Sequence, residues 1–138
     1  MAVSTLFLFL YHYNGIIYYL CSCRGNNAII SSAYRKRITS QQGNADRSDG
    51  IVYTSNSRPY EIGVVEGSKP YEDDCDKETA DFIQNCRAAE DIINYLVIQE
   101  VRQKRPTPTL FRSYMVQVFE FSIRFYFTDY LSMYRYTV

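Results

Sequence analysis

Two acids bracket a strand-like stretch of the chain, DGIVYTSNSRPYEIGVVEGSKPY, residues 49–71. Asp49 opens the first run of β-forming residues and Glu66 closes the second. Carboxylate oxygens are the ligands that hard divalent cations select. One or two of them suffice for Mg²⁺, which keeps water in its remaining positions. Whether these two meet depends on the register of the hairpin between them. A tip at Asn56-Ser57 sets Thr54 against Pro59 and Ile51 against Ile62, and Asp49 then faces Val64. Residues directly opposite, or two apart on one strand, share a face. Asp49, Val64, Glu66 and Ser68 therefore project together, and Glu61 projects the other way. Asp49 and Glu66 become diagonal neighbours with backbones about 7–8 Å apart. Two such carboxylates repel each other unless a cation lies between them. The same residues also have an ordinary reading: Asp-Gly is a turn dipeptide, and a glutamate ending a strand is often simply solvated.

The elements that must carry this pair follow from local pattern. Residues 27–40, NAIISSAYRKRITS, read as a short helix, and QQGNADRS as a loop. Strands follow at 50–55 and 59–66, the second stopped by Pro70. The acids of YEDDCDKE, residues 71–78, suit the start of a helix, where they cap free N–H groups and meet the positive end of the dipole. They lack the glycine and the ligand spacing of a calcium loop. From Lys77 to about Gln103, Ala80, Ile83, Cys86, Ala89, Ile93, Leu96 and Val97 recur at helical steps, with Asp81, Asp91 and Asn94 between them. RQKRPTPT ends that helix with positive charge and proline. The tail alternates with a period of two. Its length requires a turn near Glu120–Ser122, giving strands at 113–119 and 123–129, and a last strand at 131–137. A helix crossing between strands of one sheet predicts an α/β, or α+β layered, domain with a mixed sheet and one long crossing helix.

Composition narrows the classes. The chain has 138 residues and a formal net charge of zero, so one domain is expected and no global field draws it to nucleic acid or membrane. Acids are absent before Asp46, where Arg24, Arg35, Lys36 and Arg37 lie. Fourteen tyrosines and eight phenylalanines point to aromatic burial in a β-rich core, or to rings on which bases stack. Cys21 and Cys23 have no partner pair at zinc-ligand spacing, and Cys86 falls on the apolar helix face. An intracellular setting is therefore favoured over a secreted or membrane one. Residues 1–25 form an apolar, aromatic head distinct from 26–138. Its run 3–23 reads either as a signal or membrane anchor, or as two buried strands joined at Asn14-Gly15. No Lys or Arg precedes the run, and Tyr11-His12-Tyr13-Asn14-Gly15 interrupts it.

The order of these elements resembles the PD-(D/E)XK restriction-endonuclease-like superfamily over residues 45–138. DRSDGIV, YEIGVVEGSKPYE, the following helix and VQVFEFSIRFYF look most like uncharacterised fungal proteins with that core. The resemblance implies a restriction-endonuclease-like sheet. Ser48-Asp49 would match the PD element and Glu66-Gly67-Ser68 the (D/E)XK element. It further implies Mg²⁺ held by Asp49 and Glu66, and DNA phosphodiesters as substrate. Serine stands where the family pattern has lysine, and Lys69 follows on the opposite face. Arg58 or Lys69 would touch phosphate, and Arg35, Lys36 and Arg37 would contact the DNA backbone or remain a solvated face. The implied function is a degenerate or weak Mg²⁺-dependent nuclease, with catalytic candidates Asp49, Glu66, Ser68 and Lys69. Two alternatives stay open: a non-catalytic interaction module on the same fold, and a small membrane-anchored protein.

Overall fold

The computed structural model describes residues 9–11, 17–21, 27–54, 60–67, 75–104, 111–119, 122–132 and 135–137. Strands β1 (Phe9–Tyr11) and β2 (Ile17–Cys21) come first, then the short β3 (Asn27–Ala28) and helix α1 (Ile30–Ile38). β4 (Arg47–Ser48), β5 (Gly50–Thr54) and β6 (Glu61–Gly67) lead into the long helix α2 (Cys75–Arg102). β7 (Arg112–Phe119), β8 (Ser122–Ser132) and β9 (Arg135–Thr137) complete the order. The main sheet has seven strands in the order β1-β2-β5-β6-β7-β8-β9, and β3 pairs with β4 apart from it. β6 and β7 run parallel because α2 carries the chain back between them; the other described pairs are antiparallel. This is the layered α/β arrangement with a mixed sheet and a long crossing helix that the alternation of periods predicts.

Residues 1–25 contribute β1 and β2, and β2 lies against β5 inside the same sheet. Among the described residues no helix is long and apolar enough to cross a membrane.

The helices cover one face of the sheet. Ile51, Val64 and Met115 from the strands meet Ile29, Ala88, Ala89 and Ile92 in one buried cluster, and Cys86, Leu96 and Tyr126 pack against it. Val52, Ile62, Val65 and Val116 form a second cluster, which the alternation of the strands places on the other face. The packed side of α2 keeps the expected Cys86, Ala89, Ile93 and Leu96 but is turned at its N-terminal end. Ala88 and Ile92 are buried with Ala89 and Ile93, whereas Ala80 is exposed and Ile83 is 54% exposed. Asp91, expected among the surface positions, is buried because Arg35 of α1 pairs with it at 2.8 Å.

The hairpin β5–β6 corrects the register expected from its sequence. Ile51 faces Val64 rather than Ile62, and Val52 faces Gly63. Tyr53 then faces Glu61, so Ile62 is an extra residue that bulges out of β6. A shift of two preserves the parity of every side chain before the bulge. Beyond the bulge parity reverses, which moves Glu61 from the predicted face to the helix side. There it is buried and accepts hydrogen bonds from the backbone N–H groups of Ile30, at 2.6 Å, and Ser31, at 2.9 Å. It thus satisfies the N-terminus of α1, which has no cap from its own neighbouring side chains. Gly63 is required next to the bulge. A Cβ there would stand 2.5 Å from the carbonyl oxygen of Tyr114 on the parallel neighbour.

The strand expected at 131–137 is divided. β8 runs on through Ser132, and β9 begins at Arg135. α1 is shorter than the expected 27–40, because Asn27 and Ala28 pair with Ser48 and Arg47 as a two-residue strand.

Candidate metal and phosphate site

The corrected register brings the two acids closer than the diagonal arrangement does. Gly50 pairs with Val65, so one step back sets Asp49 directly opposite Glu66. The backbone beside Glu66 holds Asp49 in place: the N–H of Gly67 donates to Asp49 Oδ2 at 2.9 Å. Ser48 fixes the strand end from beneath. Its hydroxyl lies 2.7 Å from the Val65 carbonyl and 2.9 Å from that of Gly50, and it also reaches the Glu66 carboxylate.

Glu66 is half-buried, and its Oε1 is shielded from solvent with no hydrogen-bond partner. Burial first, and the neighbouring Asp49 charge second, push its carboxyl up to about 7. Asp81 of α2 adds to the same repulsion, while Ser48 and the Asp49 N–H oppose it. Of the two acids acting on Glu66, Asp49 of the hairpin acts more strongly than Asp81 of α2. Asp81 was read from sequence as a surface position between core residues, so its approach to the sheet is a residue the sequence reading missed.

Gln117 was missed as well. The parallel register sets it beside Glu66 on β7, fully buried, and its Nε2 donates to the Glu78 carbonyl of α2 at 3.1 Å. Asn85, one turn beyond Asp81 on α2, is buried with Nδ2 unpartnered. A buried polar side chain in the middle of an apolar helical stretch is the signal that marks such residues.

Ser68, Lys69, Arg58 and the acids Glu72, Asp73 and Asp74 lie outside the described residues. Two of the three cations in the basic cluster of α1 have partners within the chain. Arg35 pairs with Asp91 and with Asp46, the latter at 3.0 Å, and Lys36 pairs with Asp46 at 2.6 Å. Those two cations tie α1 to the loop before β4 and to α2, and Arg37 lies over the ring of Tyr34. Arg35 and Lys36 are engaged in ion pairs within the chain, while Arg37 is exposed.

Among the described residues no group of three or more His, Cys, Asp or Glu side chains is placed to hold a metal ion. The donors present still fit a cation bound by two carboxylates and water. Glu66 Oε1 lacks a partner, and a positive charge between Asp49 and Glu66 relieves their repulsion. Comparison with protein-family models, with curated proteins and with solved structures finds no match to this chain.

Proposed function

We propose that this chain is a weak Mg²⁺-dependent nuclease-like domain that acts on DNA phosphodiesters, on a restriction-endonuclease-like sheet. The observation that carries the reading is the meeting of Asp49 and Glu66 across β5 and β6, with the buried Oε1 of Glu66 left without a hydrogen-bond partner. Asp49 and Glu66 would hold Mg²⁺. The ion's contribution there is to acidify a bound water and offset charge on the phosphoryl oxygens. The chain's own residues set the conditions. Ser48 ties the ends of β5 and β6 together through the Gly50 and Val65 carbonyls, and the Gly67 N–H holds the Asp49 carboxylate. Ionised Glu66 predominates only above pH about 7, so the site is competent on the alkaline side of neutrality.

Ser68 occupies the position where the resembled pattern has a lysine. A hydroxyl donates one hydrogen bond but brings no cation to the water or phosphate, which supports weak catalysis. The same serine favours, as a second reading, a catalytically silent module on this fold. The test is nicking of supercoiled plasmid at pH 8 with and without Mg²⁺. Slow, Mg²⁺-dependent nicking that falls at least tenfold in Glu66→Gln supports the enzyme. No nicking, with DNA binding retained, supports the silent module.

A further inference from the structure

Helices α1 and α2 leave a pocket of about 400 Å³ between them, within the size range of small-molecule sites. Ser31, Tyr34, Arg35 and Ile38 recur at three- and four-residue steps on α1 and so present one stripe to it. Tyr95 and Ile98 line it from α2. The walls are mainly apolar, and the Tyr34 and Tyr95 rings meet edge to face with centroids 5.2 Å apart. From Ser31 to Ile38 the stripe is seven residues long, about 10 Å along a helix axis.

Three polar features are fixed around this apolar body. Asp91 lines the pocket, but Arg35 pairs with it at 2.8 Å, so its charge is already met. Ser31 lines it too, is 1% exposed, and its Oγ has no hydrogen-bond partner. Buried hydroxyls are normally bonded, so this one lacks a group that the described residues do not supply. Finally, Arg37 and Arg102 hold their guanidinium carbons 5.2 and 5.3 Å from the centre of the Tyr34 ring. Both arginines are exposed, and among the described residues neither has an acidic partner. They come from different helices, so the fold gathers two cations on one ring of the pocket wall.

We propose that this pocket binds a small aromatic carboxylate. Its flat body fits between Tyr34, Ile38, Tyr95 and Ile98, its carboxylate pairs with Arg37 and Arg102, and a hydroxyl at its other end bonds Ser31 Oγ. A guanidinium presents a planar fork of donors that matches a carboxylate, and tyrosine rings take another ring edge to face or offset. A length of about 10 Å suits two fused rings with a polar group at each end. The pocket shares no residue with the Asp49–Glu66 pair, so this proposal stands apart from the nuclease reading.

The probe is a fluorescent hydroxynaphthoate with its two groups at opposite ends, titrated with the full chain and followed by anisotropy. It should bind saturably, one per chain. Arg37→Gln and Arg102→Gln should each weaken it about tenfold. Naphthol, which lacks the carboxylate, should bind weakly and equally to wild type and both variants. Naphthoate, which lacks the hydroxyl, should bind about fivefold less well than hydroxynaphthoate, a difference that Ser31→Ala removes. Glu66→Gln should leave every affinity within twofold. Each variant is first shown to keep the wild-type thermal transition. The proposal is overturned if wild type shows no saturable binding, if naphthol binds as tightly as hydroxynaphthoate, or if neither arginine variant changes the affinity. Equal binding of naphthoate and hydroxynaphthoate by wild type overturns the contact with Ser31.

Discussion

Glu66 is the residue on which the chemistry turns, because its proton and a cation compete for the same oxygens. Its carboxyl titrates near 7, well above the usual 4.5. The folded state therefore holds a proton that the unfolded state has released between those two values. Stability is full below about pH 4.5, falls as the pH rises, and carries the whole cost above 7. Glu66→Gln removes that cost. Its unfolding free energy should exceed that of wild type at pH 8 by on the order of 1–2 kcal/mol once solvent screening is discounted, and the gap should close toward pH 4. Thermal denaturation at the two pH values checks this, and saturating Mg²⁺ should narrow the gap at pH 8. Ser68 supplies a second expectation. Ser68→Lys should raise Mg²⁺-dependent nicking by about a hundredfold, the rate equivalent of a few kcal/mol of charge stabilisation. The meeting of Asp49 and Glu66 was legible from residue spacing, because a register error of two leaves parity unchanged. Asp81 and Gln117 were not, since they reach the site from α2 and β7 and no short-range pattern links them to residue 66.

At the scale of elements, α1 is held by groups distant in sequence. Glu61 accepts two of its first backbone N–H groups, and Arg35 joins it to α2 through Asp91. Glu61→Ala leaves buried donors unsatisfied and should destabilise the fold by about 2–3 kcal/mol. Gly63→Ala drives a methyl into the Tyr114 carbonyl and should cost about 1–3 kcal/mol. Denaturant melts at pH 8 measure both. The strands and the long helix could be read from their periods, with ends within a few residues. The bulge at Ile62 could not, and it reverses the face of Glu61. The buried side of α2 was also misjudged by part of a turn. Asp91 is drawn inward by Arg35, and Ile83 is left exposed, so hydrophobicity alone does not define the packed face.

For the molecule as a whole, the sheet is continuous from the first strands to the last, and β5 sits between β2 and β6. A chain of residues 25–138 retains α1, α2 and the cluster centred on Ile51, Val64, Ala89 and Met115. It should still unfold cooperatively, but the freed edge of β5 should promote self-association, visible as a concentration-dependent sedimentation coefficient absent from the full chain. The layered fold also explains why the site lies where it does. β6 ends just beyond Glu66, α2 carries the chain back, and the parallel return of β7 sets Gln117 beside Glu66. The central claim is that Asp49 and Glu66 together hold one divalent cation. Titration of Mn²⁺ at pH 8, followed by loss of the free-ion electron paramagnetic resonance signal, tests it most directly. The account predicts one bound ion per wild-type chain, lost in both Asp49→Asn and Glu66→Gln and weakened in wild type at pH 6. Stoichiometric binding that survives both substitutions, or no binding by the folded wild-type chain, contradicts it.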